Sequence, residues 1–442
     1  MAIYVGLSEI LGEGSVGRHQ VGVPFGSMTP LDDVRAVVLS HCGLGPIVVL
    51  PATEAHGLVL AADVVATEPV PPFDNTAVDG YAVRAQDVAR TPVTLDVIGE
   101  LAAGGVATDA VREGTAIRIM TGAPIPEGCD AVVMVEDTER VGNSHVAIHK
   151  SAASGDAIRR AGSDVQVGVT VLTQGVVVTP MVEGVLASIN AGTVSVYRRP
   201  RVGILSTGDE LVDDGSPLQP GQIRESNRTM LRRIIAETGA DVLDIGIVRD
   251  DESVLEQVLR DAVNVQHCDA LVTSGGVSMG DYDVVKAVLG RIASMQWFQV
   301  AMKPAKPFAF GTLTNDAGVA IPVFGLPGNP VSSLMSFELL ARPALKSMMG
   351  SRHPYRARVH AIVDEDVTRK PDGKTHFDRV HAYWGATDGR VHVRRTGPQG
   401  SHQLAATAVA NAIMAVPDGV GVRAGDEVTV SFLGPESGPH AS

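Results

Sequence analysis

The sequence predicts a multidomain α/β protein, and three observations lead to that fold class. From Arg201 to about residue 350, short apolar segments typical of strands alternate with helical segments, which indicates a doubly wound, mostly parallel sheet. Residues 68–166 contain short alternating strands interrupted by proline and glycine, which is typical of a compact β-rich domain. After residue 350 the alternation returns and predicts a small β-barrel-like domain. A chain of 442 residues is too long for one hydrophobic core, so several domains are expected.

Two helices flank the β-rich segment and predict a helical linker domain. The first has Thr29 as its cap and Pro30 in its first turn, and the second starts in the same way, with Thr179 and Pro180 leading residues 181–191. If the two helices pack together, the β-rich domain is an insertion into this linker domain. The expected domains are a flexible N-terminal extension at 1–26, a discontinuous linker domain at 27–67 and 167–199, the β-rich domain at 68–166, the sheet domain at 200–350 and the C-terminal domain at 351–442.

Composition excludes several classes of function. The formal net charge is −14, from 36 Lys and Arg against 50 Asp and Glu, which opposes generic binding to nucleic acid or to an anionic membrane. The three cysteines lie far apart and have no metal-binding spacing, which fits a reducing compartment. No apolar run has the length of a membrane span, and the N-terminus lacks a basic region followed by an apolar core. We therefore expect a cytoplasmic protein.

A glycine-rich loop directly follows one predicted strand and organises the expected site. It reads TSGGVSMGDYD from Thr273 to Asp283, and a strand that leads through such a loop into a helix presents backbone N–H groups to an anionic ligand. Asp281 stands where a P-loop needs its lysine, and the dinucleotide pattern G-x-G-x-x-G is absent, so both motifs are excluded. Ligands of doubly wound sheets lie outside the carboxyl ends of the strands, so the STGDE loop at the same edge is a candidate too. The expected substrate-binding residues of these two loops are Ser206, Thr207, Gly208, Gly275, Gly276, Ser278 and Gly280.

Three carboxylates follow three different strands of the predicted sheet. Glu210, Asp250 and Asp283 could surround one hard cation such as magnesium, which prefers oxygen ligands and would accompany a phosphate-like ligand. The alternative for each residue is a helix cap, which is the simpler role for any single carboxylate. Three carboxylates at one sheet edge, together with a glycine loop, favour the metal site.

Two further loops at this edge carry groups that suit an oxyanion. Lys303 and Lys306 stand close together in an otherwise acidic protein, and the alternative is a solvated pair of charges. Pro327 and Pro330 bound a rigid turn before a helix, where N–H groups are free to meet an anion, and the alternative is a purely structural turn.

The β-rich domain offers candidates of its own. Asp79 could act in catalysis or bind a cation, although an Asp-Gly pair more often marks a turn. Thr121 supplies a hydroxyl ahead of a proline bend. Arg159 and Arg160 could bind an oxyanion, and the alternative is one solvated face. No histidine has metal-ligand spacing, and no set of serine, histidine and acid indicates a hydrolase.

Six motifs resemble, in the same order, those of the molybdopterin molybdotransferase family, the molybdenum insertases. They are DNTAVDGYAVR, MTGAPIPEGCDAVVMVED, LSTGDEL, SGGVSMGDYD, KPAKPFAFG and LPGNPVSS, and the resemblance extends from Ser27 to about Leu433. It implies a sheet domain of the molybdopterin-binding type and an elongated homodimer of four-domain subunits. The implied reaction converts adenylylated molybdopterin and molybdate into molybdenum cofactor and AMP with Mg²⁺. The implied site lies between the sheet domain of one subunit and the β-rich domain of the other.

The resemblance also implies roles for individual residues. The family's functional residues match Asp79, Thr121, Glu210, Asp250 and Asp283, and the residues of its substrate cleft match Lys303, Lys306, Pro327 and Pro330. The sequence departs from the family's pattern at Thr76, Val78 and Ala305, where serine, methionine and glycine are usual, and at His402. His402 occupies a usually small or basic position, so no role is carried over there.

Two other functions stay open. A molybdopterin adenylyltransferase, the preceding enzyme, resembles residues 201–350 in fold and glycine loop, but the β-rich domain with Asp79 and the LPGNP turn argue against it. A non-catalytic cofactor-binding or scaffolding protein would use the same architecture without turnover, and the intact acids Glu210, Asp250 and Asp283 argue against that. Expected partners are the small-molecule substrates, a second copy of the chain, the adenylyltransferase and the molybdoenzymes that accept the cofactor.

Overall fold

The computed structural model describes residues 28–277, 283–434 and 440–441, so the predicted N-terminal extension lies outside the described residues. The helices are α1 (Leu31–Ser40), α2 (Pro180–Ser188), α3 (Asn227–Thr238), α4 (Glu252–Asn264), α5 (Val284–Ile292), α6 (Pro330–Ser336), α7 (Arg342–Met348) and α8 (Leu404–Ala408). A π-helical turn (Phe337–Ala341) joins α6 to α7, and short 3₁₀ helices span Ala52–Glu54, Ala85–Val88 and Val135–Asp137. None of the helices in the described ranges combines the length and the apolar character that a membrane crossing requires.

The strands fall into three larger sheets and several short pairs. They are β1 (Ile47–Pro51), β2 (Val64–Val65), β3 (Asn75–Thr76), β4 (Gly80–Val83), β5 (Val93–Leu101), β6 (Thr115–Ile119), β7 (Ala131–Met134), β8 (Thr138–Val141), β9 (His145–Ile148), β10 (Ile158–Arg159), β11 (Thr170–Leu172), β12 (Thr193–Tyr197), β13 (Arg201–Thr207), β14 (Leu211–Val212), β15 (Ile223–Arg224), β16 (Asp241–Val248), β17 (Ala270–Ser274), β18 (Ser294–Gln299), β19 (Met302–Lys303), β20 (Pro307–Thr314), β21 (Ala320–Leu326), β22 (Arg358–Val363), β23 (Val367–Thr368), β24 (Thr375–Trp384), β25 (Val391–Arg395), β26 (Ala412–Val416), β27 (Gly421–Val422), β28 (Glu427–Phe432) and β29 (His440–Ala441).

The central sheet confirms the predicted α/β class. Its strand order is β16-β13-β17-β21-β20-β18, in which the first four strands are mutually parallel. Alternate residues of each strand enter opposite cores, as the pleat requires: Val272 and Phe324 face one side, and Leu271 and Val323 face the other. Helices α1, α3, α6 and α7 cover the first side, and α4 and α5 cover the second. Both faces of the sheet are therefore buried, and its edge is left to carry polar loops.

Strand β20 was missed by the sequence analysis, and it decides where the lysine loop lies. β20 pairs antiparallel with both β18 and β21, so β18 runs in the same direction as β21. The carboxyl end of β18 therefore lies at the same sheet edge as those of β13, β17 and β21. The loop that carries Lys303 and Lys306 follows β18 and joins that edge, where it was expected.

Around the β-rich segment, the expectation that two helices pack together is wrong. Helix α1 packs in the first core of the central sheet, where Val34 and Val38 lie with Phe337. Helix α2 packs in a separate core with strand β12, which pairs antiparallel with β1. Backbone bonds explain the difference: Thr29 donates to Gln299 O at 2.7 Å, which ties the start of α1 to the end of β18.

The starts of these two helices also differ from each other. Pro30, and not Thr29, holds the cap position of α1, and no side chain of the described residues caps that helix. Thr179 caps α2 as predicted, since its side chain accepts from the N–H of Val182. Helix α2 ends at Ser188, three residues before its predicted end at Ala191.

The remaining two sheets form the β-rich region and a barrel. The β-rich sheet has the order β7-β4-β6-β5-β9-β8. In the C-terminal region β24, β25, β22, β28 and β26 pair in turn, and β26 pairs back with β24, so the strands close into a barrel. Strand β19 of the lysine loop adds to β24 in parallel, which fastens the barrel to the central sheet.

Candidate functional site

The glycine loop leaves β17 at the carboxyl edge of the central sheet. Gly275 and Gly276 have φ angles of 96° and 72°, in the left-handed region that other residues avoid. A Cβ atom on Gly276 would lie 2.2 Å from the side chain of Val285, so loop and helix α5 pack too closely for a side chain there. The N–H of Gly275 donates to Leu326 O at 3.1 Å, which ties the loop to the end of β21. The predicted residues Ser278, Gly280 and Asp281 lie outside the described residues.

A cavity of about 110 Å³ lies between this loop and the ends of the neighbouring strands. The structure brings several predicted residues together around it. Those that line it are Ser206, Thr207, Glu210, Gly275 and Pro330. Gly208 is buried beside it with a φ of 143°, and a Cβ atom there would come within 2.4 Å of Glu210 Oε2.

Two polar residues at this cavity were missed by the sequence analysis. Glu225 is only 8% exposed, and its carboxylate accepts from Ser206 Oγ at 3.0 Å. The side-chain amide of Asn227 donates to Ser274 Oγ at 2.9 Å and to Gly328 O at 2.7 Å. In the sequence the run from Glu225 to Asn227 resembles an ordinary helix start. The available signal was that α3 connects two parallel strands, which places its first residues at the carboxyl edge.

Two of the predicted metal ligands stand at helix starts, but only one is a cap. Asp283 caps α5, with Oδ1 accepting from the N–H of Lys286 at 3.3 Å. Asp250 is exposed, and the cap of α4 is its neighbour Asp251, which accepts from Ser253 N at 2.8 Å. The hydrogen bonds from Ser253 and from the first turn of α4 lower the pKa of Asp251. The helix-cap alternative therefore holds for Asp283 and not for Asp250.

The three predicted metal ligands are not gathered into a preformed metal site. Glu210 is exposed and its carboxylate folds back against Gly208. Within residues 28–277, 283–434 and 440–441, no group of three or more Asp, Glu, His or Cys side chains lies close enough together to hold a metal ion. The magnesium site stays a prediction.

Lys303 lies at a basic cavity between the central sheet and the barrel. This cavity measures about 450 Å³, and its lining includes Lys303, Arg369, Lys370, His376 and Arg395. Asp372 and Asp378 also line it: Asp372 accepts from Arg369 at 2.6 Å, and burial raises the pKa of the Asp378 carboxyl group. Lys306 is exposed in the same loop. Four Lys and Arg side chains thus face two Asp side chains, and this local excess of positive charge in a protein whose net charge is −14 suits a small oxyanion.

Between the two lysines, Ala305 adopts an unusual backbone conformation. Its φ angle is 77° and its side chain is only 3% exposed. A residue with a Cβ atom pays for this left-handed conformation, and glycine does not. The departure from the family's glycine noted above therefore falls where the backbone favours glycine.

The turn before α6 is anchored more firmly than the sequence suggested. Pro330 is the first residue of α6, and the N–H of Val331 donates to Ser401 O of the barrel at 3.0 Å. The hydroxyl of Ser333 donates to Pro327 O. The expectation that the first N–H groups are free to meet an anion is wrong for Val331, because the barrel already accepts from it.

In the β-rich region, Asp79 and Thr121 form a pair. Asp79 Oδ1 accepts from both the N–H and the hydroxyl of Thr121, each at 2.7 Å. These hydrogen bonds lower the pKa of Asp79, because they favour the ionised form of its carboxyl group. Gly80 starts strand β4, and a Cβ atom there would lie 2.0 Å from Val133 O, so close strand packing explains this glycine better than a turn does.

The two candidate arginines of this region, Arg159 and Arg160, are both exposed. Arg160 pairs with Asp74 at 2.6 Å, which gives it a structural partner. The Asp79–Thr121 pair lies on the β-rich sheet, whose cores are separate from those of the central sheet. The structure thus assembles one group of predicted residues at the central sheet edge and a second at Asp79.

Three family models match consecutive parts of the chain. Residues 29–190 match the MoeA N-terminal region (domain I and II), residues 203–347 match a probable molybdopterin binding domain, and residues 346–433 match the MoeA C-terminal region (domain IV). Together they match residues 29–433 except for residues 191–202.

Individual proteins resemble the chain over most of its length. Molybdopterin molybdenumtransferase 2 of Mycobacterium tuberculosis is 42% identical, over 87% of this chain and 94% of that protein. Molybdopterin molybdenumtransferase of Haemophilus influenzae is 37% identical, over 85% of this chain and 91% of that protein. The crystal structure of a molybdopterin biosynthesis MoeA protein from Pyrococcus horikoshii matches with a TM-score of 0.76 and 31% identity, covering 92% of this chain and 99% of that one. The chain therefore belongs to the MoeA family of molybdopterin molybdenumtransferases.

Proposed function

We propose that this protein is a transferase that inserts molybdenum into molybdopterin during the synthesis of molybdenum cofactor. Its substrates are adenylylated molybdopterin and molybdate, and its products are molybdenum cofactor and AMP. The observation that carries the proposal is the match to molybdopterin molybdenumtransferases over nearly their whole length, at 42% identity over 94% of one of them. A single-domain adenylyltransferase would account for the central sheet and leave the β-rich region and the barrel without a purpose.

The edge of the central sheet suits the nucleotide side of the substrate. The left-handed glycines Gly275 and Gly276 let the backbone approach a phosphate closely, and helix α5 begins just beyond the loop. Ser206 and Thr207 line the adjoining cavity. In the proposed complex these groups bind the adenylyl end of the substrate and orient its pyrophosphate.

Magnesium fits the carboxylates at this edge, although no preassembled cluster is present among the described residues. Mg²⁺ usually takes one or two protein carboxylates and completes its shell with substrate phosphates and water. Glu210, Asp250 and Asp283 would hold the ion beside the pyrophosphate. When bound, Mg²⁺ supplies charge neutralisation that makes AMP a better leaving group.

The basic cavity at the barrel suits molybdate. Lys303 and Arg395 line it, and Lys306 stands in the same loop, so a doubly charged oxyanion would be attracted and held there. Pro327 and Pro330 bound the turn that forms the wall of the proposed cleft on the nucleotide side, where Pro330 lines the smaller cavity. The proposed role of the lysines and Arg395 is to keep molybdate next to the dithiolene of the pterin until AMP has left.

The Asp79–Thr121 pair completes the proposed site from a second subunit. In a homodimer the β-rich region of one subunit would face the sheet edge of its partner. Thr121 donates two hydrogen bonds to the Asp79 carboxylate, which fix its direction and would prepare it to act on the bound pyrophosphate. We further propose that the dimer works in the cytoplasm, receives its substrate from the adenylyltransferase and delivers its product to molybdoenzymes.

The direct test gives the purified protein adenylylated molybdopterin, molybdate and Mg²⁺ and follows AMP by chromatography. The proposal predicts AMP release together with a product that activates a molybdenum-free molybdoenzyme. AMP formed only from ATP and free molybdopterin would establish the adenylyltransferase instead. Binding of the pterin without any AMP in either assay would establish a non-catalytic binding protein.

A further inference from the structure

The side chain of Asn227 bridges two loops that end different strands of the central sheet. Its amide donates one hydrogen bond to Ser274 Oγ, at the end of β17, and another to Gly328 O, in the turn after β21. Ser274 is the second residue of the glycine loop, and Gly328 lies two residues before α6. One side chain therefore sets the separation between two walls of the 110 Å³ cavity, which it also lines.

The hydrogen bonds beyond Asn227 have a fixed direction. Pro327 O can only accept, so the hydroxyl of Ser333 donates to it. Ser333 Oγ must then accept from Ser274 Oγ, 3.3 Å away, and Ser274 Oγ must in turn accept from the Asn227 amide. Ser274 and Ser333 are at most 2% exposed, so water does not compete for these bonds. Because the hydroxyl hydrogen of Ser274 is already used, residue 227 can bond to Ser274 only with an N–H group.

Glu225 holds Asn227 itself in place. Its buried carboxylate accepts from the N–H groups of Arg228 and Thr229, which fixes the first turn of α3. The same carboxylate accepts from Ser206 Oγ at the end of β13. The start of α3 is thus bonded to the ends of three parallel strands that meet at the cavity.

We propose that Asn227 is a positioning residue for the adenylylated substrate: it holds the glycine loop and the turn before α6 at the distance that the nucleotide side requires. The inference rests on the proposed function and adds to it a residue that touches neither the reacting bond nor molybdate. Binding of molybdate at the barrel does not depend on Asn227, because the basic cavity there has a different lining.

The test measures the KM for adenylylated molybdopterin and the KM for molybdate in two variants. Asn227→Ala removes the amide without adding charge, and Asn227→Asp keeps its shape but cannot donate. Both are expected to raise the KM for adenylylated molybdopterin about tenfold, the effect of one or two lost hydrogen bonds. The KM for molybdate should stay within about twofold of the wild-type value, since only one wall of the site has moved.

Asn264→Asp is the matched control. Asn264 is also half-buried, but it uses its side-chain oxygen to accept from Asp316 N at 2.8 Å, and aspartate preserves that bond. The control adds the same charge far from the cavity and should leave both KM values unchanged.

Ser333→Ala provides a second route if the Asn227 variants do not fold. It breaks the donor chain at a fully buried site and should raise only the pterin KM, by severalfold.

Three outcomes would overturn the inference. The first is wild-type kinetics in Asn227→Ala and Ser333→Ala. The second is an equal rise of both KM values, which would indicate general damage. The third is a defect confined to Asn227→Asp, which would indicate charge repulsion of the substrate. A wild-type protein without turnover in the same assay would instead contradict the proposed function, so the two failures are distinguishable.

Discussion

At the scale of single residues, Ala305 adopts an unfavourable backbone conformation between Lys303 and Lys306 of the lysine loop. Its φ of 77° lies in the left-handed region, which disfavours a residue with a Cβ atom by about 1–2 kcal/mol. Its 3% exposure shows that the methyl group is packed and not simply tolerated at the surface. The surrounding structure, including the pairing of β19 with the barrel, holds this conformation in place.

Replacing Ala305 by glycine should therefore lower the free energy of unfolding less than an alanine-to-glycine change at a site with ordinary φ. Glycine loses more conformational freedom on folding, which opposes the relief of the left-handed cost. Ala309→Gly is the matched control, because Ala309 is fully buried in strand β20 and is not among the residues with positive φ. Urea unfolding should show Ala305→Gly to be at least about 1 kcal/mol more stable than Ala309→Gly. Equal losses in the two variants would contradict the strain at Ala305.

The sequence could identify residue types at the site but not their partners. The left-handed glycines and the acids after strands have local patterns, so Gly275 and Asp283 were recognised. Glu225 and Asn227 were missed because their roles depend on Ser206, Ser274 and Gly328, which folding brings close from distant parts of the chain. No local pattern separates such a residue from an ordinary helix start.

At the scale of elements, the start of helix α4 separates a structural acid from a proposed functional one. Asp251 accepts hydrogen bonds from the first turn and caps the helix, while its neighbour Asp250 does not cap. The two carboxylates are adjacent in sequence, but Asp251 is expected to contribute to stability and Asp250 to activity. Stability and activity can therefore be tested at neighbouring positions of one loop.

Asp251→Ala should lower the free energy of unfolding by about 1 kcal/mol, as the loss of a helix cap usually does. Asp250→Ala should change stability by less than about 0.5 kcal/mol and abolish AMP release, because it removes a proposed magnesium ligand. Urea unfolding and the AMP assay on both variants give the comparison. Unchanged AMP release in Asp250→Ala would refute the metal assignment.

In the barrel, His392 is held between two carboxylates. Its Nδ1 lies 2.6 Å from Asp364 and its Nε2 lies 3.1 Å from Asp388, while the hydroxyl of Tyr383 donates to Asp364. The hydrogen bonds to Asp364 and then to Asp388 raise the pKa of His392 above its ordinary value. The imidazole thereby joins strand β25 to the loop before it and to the end of β22.

This raised pKa predicts a stability that falls with rising pH. The charged form is favoured in the folded state, so its contribution is complete below the unfolded pKa of about 6.5 and is lost as pH rises through the higher folded pKa. The difference in unfolding free energy between wild type and His392→Gln should thus shrink between pH 6 and pH 9. His360→Gln is the control, since that side chain is 75% exposed and its ion pair with Glu427 is screened. A difference that stays constant or grows with pH would contradict the ion-pair role of His392.

The sequence predicted most helices and strands, but it missed one strand and did not predict which elements pack against each other. Periodicity identified the parallel strands, since each is a run of apolar residues between loops. Strand β20 was missed because it begins within the proline-rich lysine motif, which resembles a loop. The packing of α1 was predicted wrongly because an apolar stripe shows that one face of a helix is buried but does not show which element covers it.

At the scale of the whole molecule, the two groups of site residues lie on different sheets. The Asp79–Thr121 pair belongs to the β-rich sheet, and Glu210, Asp250 and Asp283 belong to the edge of the central sheet. The proposed homodimer would join each group to the other group of the partner subunit. The domain bounds and this dimer stay predictions, because strand pairing within one chain does not test them.

Mixing two inactive variants tests whether a site is shared between subunits. Asp79→Asn and Asp250→Ala should each be inactive alone. After exchange of subunits in an equal mixture, about half of the dimers are mixed and each has one intact site of two, so about a quarter of the wild-type activity should return. If both groups act within one subunit, no dimer has an intact site and no activity returns.

The central claim is that molybdenum insertion and AMP release are one reaction on this protein. The most direct measurement is the amount of molybdenum transferred to the pterin for each AMP released, by elemental analysis and chromatography of the same sample. The account predicts one molybdenum per AMP, and little AMP when molybdate is left out. AMP released at the full rate without molybdate, or AMP without pterin-bound molybdenum, would contradict it.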